Sequence, residues 1–148
     1  MPSYLSGSSS VTRLELHVCF KVKYCHTVFD DPTFTARCAE LLRAVGAKEQ
    51  VLIKEMGFDR DHVHMVWQVR VTHRLDQLAK AFKGTTGKAL LAEFPTIKRR
   101  WFWRSGLWSG VIFADSIGRD PEQIAAYVRN QGKPRFPPSQ TVISRFTN

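Results

Sequence analysis

Asp61-His62-Val63-His64 is the string in this sequence best equipped to do chemistry. On an extended chain, residues i and i+2 project to the same side with Cα atoms about 6.5–7 Å apart, so both imidazoles can converge on one ion. Two histidines leave a metal site incomplete and call for a further ligand. Tyr127 and Gln131 stand four apart, on one face of any helix that carries them. Gln131 offers a carbonyl oxygen suited to a hard cation, and Tyr127 a hydroxyl that can attack phosphorus. A divalent ion held by His62, His64 and Gln131 would polarise a scissile phosphate and offset the charge of its pentavalent state. Tyr127, a weak nucleophile with a pKa near about 10, would then have an electrophile it can attack. The products are a phosphotyrosine and a free 3′-hydroxyl. One phosphoester is exchanged for another, so the step reverses without ATP and suits strand transfer better than degradation. Each piece alone has a plainer reading. The histidines fit two surface residues on a strand, and Tyr127, flanked by Ile124 and Val128, fits the buried stripe of a helix.

Charge points towards a polyanion. The 148 residues carry 22 Lys and Arg against 13 Asp and Glu, a net charge of +9. A basic domain of this size gains affinity for nucleic acid by releasing condensed counterions. Residues 98–104, KRRWFWR, interleave cations with aromatic rings. That pattern suits single strands, where stacking contributes about 1–3 kcal/mol per base. It equally suits an aromatic strand with Trp101 and Trp103 in the core, and Trp108 fits either class. The candidate strand contacts are Lys83, Lys88, Arg99, Arg100, Trp103, Arg104 and Lys133. The 83–88 stretch lacks the GxxxxGK[ST] spacing of a phosphate loop, and no aromatic RNP1 string is present. Cys19, Cys25 and Cys38 form no CxxC pair, against a zinc ribbon or a disulfide framework. His17, His26 and His73 show no obvious partner.

The elements that must hold these residues read as follows. Leu14, Leu16, Val18, Phe20, Val22 and Tyr24 alternate with polar neighbours, predicting a half-buried strand over 14–24. Asp31-Pro32 predicts a helix start, Phe34, Cys38, Leu41, Leu42 and Val45 its stripe, and Gly46 its end. A short strand at 50–56 and a polar turn at 57–61 follow. In the next strand Val63, Met65, Trp67, Val69 and Val71 face the core, and His62, His64, Val66 and Gln68 the other way. An amphipathic helix spans 75–94, weakened by Gly84 and Gly87 and ended by Pro95. A strand at 107–114 precedes a last helix, opened by Asp120-Pro121 and closed by Gly132. Residues 1–11 are expected to be disordered, 12–133 to form one domain, and 134–148 a tail. The order β-α-β-β-α-β-α predicts an α+β fold: a ferredoxin-like, RRM-like split βαβ antiparallel sheet, helices on one face, and an extra C-terminal helix carrying the tyrosine. No apolar run approaches the roughly 20 residues of a membrane helix. Residues 1–10 lack a secretory apolar core. The expectation is a cytoplasmic chain, nucleoid-associated when bound to DNA, with no membrane partner.

These residues resemble the single-tyrosine HUH transposases of the insertion-sequence-200/605 (IS200-like) type. The matching strings are HVCFKVKYCHTVF, DHVHMVW, AFKGTTGKAL, LWSGVIFADSIG and IAAYVRNQGK, in the family's order, over about residues 14–133. The resemblance implies a DNA transposase that recognises subterminal hairpins and cleaves and rejoins single-stranded DNA through a 5′-phosphotyrosine. It implies Mg²⁺ or Mn²⁺ as cofactor, and a homodimer in which the tyrosine helix of one subunit serves the histidines of the other. Carried over, Tyr127 is the nucleophile and His62, His64 and Gln131 are the metal ligands. Two strings depart from the pattern. The family's Lys-Tyr-Arg is here Lys23-Tyr24-Cys25, and its Met-Pro-Asp-His turn is here the longer run from Met56 to His62. The reading from another class is a domesticated or non-catalytic single-stranded nucleic-acid-binding protein on the same fold.

Overall fold

The computed structural model describes residues 5–6, 11–12 and 14–116. Within the N-terminal stretch, β1 (Leu5–Ser6) pairs antiparallel with β2 (Val11–Thr12). The alternating run forms β3 (Leu14–Val22), and Val18, Phe20 and Val22 are buried on its core side. The strand stops two residues earlier than its alternation predicts. Tyr24 and Cys25 turn to φ 61° and 57° within a short 3-10 turn, and Tyr24 is exposed instead of facing the core.

Helix α1 (Pro32–Glu49) starts as its sequence predicts. The Asp31 carboxylate accepts from the backbone N–H of Thr33 (2.9 Å) and Phe34 (3.2 Å), satisfying donors that the first helical turn leaves open. Its end differs from expectation. Gly46 lies inside the helix, and the left-handed cap falls on Gln50, φ 60°. Gly46 is there for closeness: a Cβ would stand 3.0 Å from Ile53 Cδ1 and 3.2 Å from the Val51 carbonyl. The chain then returns as β4 (Leu52–Phe58), which extends past the predicted strand and shortens the turn before β5 (His62–Val69). The β4–β5 register slips between Ile53 and Glu55. The extra residue lets Ile53 and Met56, three apart, both reach the core side.

Helix α2 (Leu75–Glu93) runs unbroken through both glycines. A Cβ on Gly87 would meet Trp108 Cδ1 at 3.3 Å, so the glycine lets the helix lie close on that indole. Trp108 is buried and donates from Nε1 to Thr86 Oγ1 (2.9 Å), which places it in the core class. Pro95 ends α2 and also opens α3 (Pro95–Trp101), a helix that the sequence reading did not contain. The aromatic strand considered for residues 98–104 is therefore absent. Trp101 is half-buried and Trp103 exposed. The last described strand is β6 (Trp108–Ser116).

The four long strands form one antiparallel sheet in the order β4-β5-β3-β6. This is the expected split βαβ arrangement. One face carries α1 and α2: Phe34, Cys38 and Leu42 from the first, and Leu78, Phe82 and Leu90 from the second, join Phe20, Met65 and Trp67 in one core. Trp67 stacks on Phe82 with centroids 4.4 Å apart, and Phe20 turns its edge to both.

Candidate active site

The sheet face away from the helices holds His62 and His64, as period two requires. Their ring centroids lie 4.6 Å apart at 76°. The pair occupies the start of β5, next to β3, with Lys21 opposite His62 and Cys19 opposite His64. This face is closed at its centre as well, contrary to the simple picture of two surface histidines. His64 is 3% exposed and its neighbour His17 is fully buried.

Each histidine of the pair is held through Nδ1. His62 Nδ1 donates to the Asp61 carboxylate at 2.6 Å. A 3.1 Å hydrogen bond joins His64 Nδ1 to His17 Nε2, and these two rings stack at 5.2 Å. His17 stands one step diagonally from His64 across the β3–β5 ladder. The Asp61 carboxylate can only accept, so the His62 proton lies at Nδ1 and leaves the lone pair on Nε2, the arrangement that orients a histidine for a metal, and His64 takes the same arrangement when its Nδ1 donates to His17. Burial, then the neighbouring His62 and His17, push the His64 pKa down to about 2, so the ring is neutral as coordination requires. Burial likewise pushes the Cys19 thiol up to about 12, which keeps it protonated. Among the described residues no cluster of three His, Cys, Asp or Glu side chains completes a metal site. The two imidazoles thus fit a divalent ion that takes further ligands, oxygen donors above all.

Tyr127, Gln131 and Lys133 lie outside the described residues, as do the last helix and the tail. The other candidate contacts spread along one run from α2 through α3 to β6. Lys83 reaches the irregular part of β6, where the register with β3 shifts between Phe20 and Val22. Its ammonium donates to the carbonyls of Ser109 (2.8 Å) and Val111 (2.6 Å) and lies 5.3 Å from the Phe20 ring centre. Burial pushes its pKa down to about 8. Lys88 is exposed, and with Lys83, Gly84, Gly87 and Gly106 it lines a groove of about 370 Å³. Arg99, Arg100, Trp103 and Arg104 are exposed. The Arg100 and Arg104 guanidinium groups lie over Trp101 (4.7 Å) and Trp103 (4.4 Å).

The three histidines without an obvious partner all have one in the fold. His17 meets His64, and His26 stacks on Trp101 at 5.0 Å. His73 donates from Nε2 to the Glu49 carbonyl and accepts at Nδ1 from the Arg70 backbone N–H, each at 2.8 Å. His17 is the site residue that sequence reasoning missed. Its position on the histidine side of β3 follows from alternation, but the β5 residue it meets depends on register.

A split βαβ sheet with a held HxH pair at the head of an inner strand defines the class, and sequence comparison gives the family. Residues 10–131 match the model of the transposase IS200-like family, and the chain belongs to that family. It is 25% identical over 126 residues to the ISDra2 transposase TnpA of Deinococcus radiodurans, covering 84% of this chain and 89% of that protein. A crystal structure of a candidate transposase from D. radiodurans R1 superposes with a TM-score of 0.70 at 24% identity, covering 86% of this chain and 97% of that one. A REP-associated tyrosine transposase bound to a REP hairpin has the same fold, with a TM-score of 0.58 at 9% identity over 84% of this chain and 70% of that one. The chain is thus a transposase by family. No described helix is long and apolar enough to cross a membrane.

Proposed function

We propose that this transposase cleaves and rejoins single-stranded DNA at the ends of its mobile element through a 5′-phosphotyrosine on Tyr127. The observation that carries this reading is the histidine pair, each ring held at Nδ1, His62 by Asp61 and His64 by His17. His62 and His64, with Gln131 as the third donor, would hold Mg²⁺ or Mn²⁺. When bound, that ion supplies Lewis-acid polarisation of the scissile phosphate. Asp61 and His17 keep the two imidazoles oriented. Tyr127 Oη forms the new bond to phosphorus and gives up its proton to solvent. The bond from phosphorus to the 3′-oxygen breaks, and that oxygen leaves as a protonated hydroxyl. A later 3′-hydroxyl reverses the exchange and joins a new strand. The exposed cations Lys88, Arg99, Arg100 and Arg104, together with Lys133, would neutralise strand phosphates, and Trp103 would stack on bases. We further propose hairpin recognition near the element ends and a homodimer in which each tyrosine acts at the partner's histidines. That a related fold has been solved on a REP hairpin supports the first of these.

The test is a denaturing gel of the protein with single strands from both flanks of its own gene, in Mg²⁺. The expected result is a protein–DNA adduct that survives SDS, disappears in Tyr127→Phe while binding persists, and disappears in His64→Ala. An adduct that persists in Tyr127→Phe would overturn the nucleophile. Tight, salt-sensitive binding without any adduct, indifferent to both substitutions, would favour the non-catalytic binding protein.

A further inference from the structure

Alternation along β3 assigns Tyr24 to the core side, yet the residue is 70% exposed. The cause is local. The backbone N–H of Val22 donates to the Asp61 carbonyl and that of Lys23 to the Leu107 carbonyl, each at 2.8 Å, so the chain is pinned where β5 begins with His62. Directly afterwards Tyr24 and Cys25 both take positive φ, 61° and 57°. That region is unfavourable for residues with a β-carbon, and an aromatic one there is uncommon. Backbone held this way tends to occur where a side chain must be presented for function.

The presented ring does not stand alone. His26 packs edge-to-face with Tyr24 at 5.9 Å, stacks on Trp101 at 5.0 Å and 10°, and meets Phe102 at 5.3 Å. Arg100 lies over the same Trp101. The result is an aromatic ledge with a guanidinium beside it, at the end of the sheet that holds His62. The exposed Tyr24 ring suits a base, and the guanidinium suits a phosphate. In a chain of net charge +9 the partner this combination fits is a single strand with unpaired bases.

We propose that Tyr24 is a base-stacking residue for the unpaired strand that runs past the ledge to the histidine pair, with Arg100 on its backbone. The proposal rests on the single-strand reading above, and its test is independent of cleavage. The full-length protein is titrated into a short fluorescent oligothymidylate and into the same oligonucleotide annealed to oligoadenylate. Variants are Tyr24→Gly, which accepts positive φ and so keeps the turn, and Tyr24→Phe, which keeps the ring. The expected result is about tenfold weaker binding of the single strand by Tyr24→Gly. Tyr24→Phe should bind like wild type, and the duplex should be bound equally by all three. Single-strand affinity unchanged in Tyr24→Gly would overturn the ledge, as would an equal loss on the duplex. Tyr24-dependent binding with no adduct on the gene's flanks would leave the ledge standing and remove the cleavage reading. An adduct together with Tyr24-independent binding would do the reverse.

Discussion

His17 shows how one residue outside the histidine pair itself can govern a site. It is fully buried, stacked on His64 and hydrogen-bonded to its Nδ1 at 3.1 Å. Partners of this kind fix the tautomer and orientation of a ligating imidazole, and losing one typically weakens metal affinity about 10–100-fold. His17→Ala is therefore expected to weaken Mn²⁺ binding in that range, read by electron paramagnetic resonance titration. His17→Gln, which retains a polar atom for Nδ1, should lose less. Unchanged Mn²⁺ affinity in His17→Ala would show that His64 is oriented by other contacts. Lys83 carries a related lesson. Its spacing on α2 marks it as a solvent-facing cation, but the fold gives its ammonium to two carbonyls of the irregular β6 segment. Buried or half-buried carbonyls left unpaired are costly, and a lysine within reach satisfies them.

At the scale of elements, the glycines of the two long helices separate into different roles. Helix α1 passes over the start of β4 so closely that a Cβ on Gly46 would press on Ile53 and on the Val51 carbonyl. The backbone carbonyl cannot yield cheaply, so Gly46→Ala is expected to destabilise by about 1–3 kcal/mol through overpacking, despite alanine's better helix propensity. Gly84, in the middle of α2, has nothing within 4 Å of its would-be Cβ. There Gly84→Ala should stabilise by about 0.5–1 kcal/mol. Thermal unfolding of the pair checks both signs, and a stabilised Gly46→Ala would refute the close approach. Both glycines lower helix propensity equally in the sequence, and only the neighbour each one meets distinguishes them.

At the scale of the whole molecule, the excess of cations must act through the surface that the fold leaves to them. Lys88, Arg99, Arg100 and Arg104 remain exposed along the run from α2 to β6. Single-strand affinity should fall linearly with salt on logarithmic axes, and each lost phosphate contact should make the slope shallower by about 0.7. Arg104→Ala is expected to do this. Trp103→Ala should weaken binding without changing the slope, because stacking releases no counterions. Equal slopes in wild type and Arg104→Ala would remove that arginine from the phosphate path. Arg100 belongs both to this run and to the Tyr24 ledge, so charge and stacking meet there.

The sequence by itself determined what short-range periodicity can encode. Alternation put His62 and His64 on the face opposite Val63, Met65 and Trp67, and the Asp31-Pro32 signal began α1 where the structure begins it. The order of elements was enough for the split βαβ sheet. These features depend on neighbours within a few residues, which the chain spells out directly. What only the tertiary structure decided depends on contacts between distant segments. Register across β3 and β5 chose His17 as the partner of His64, 47 residues away. Packing against Ile53 explained Gly46, and α3 replaced an aromatic strand because Pro95 can open a helix as readily as it ends one. Backbone hydrogen bonds from Val22 and Lys23 to other segments ended the alternation early and turned Tyr24 outward. Periodicity specifies which face a residue takes, and the register and spacing of packed segments specify what it meets there.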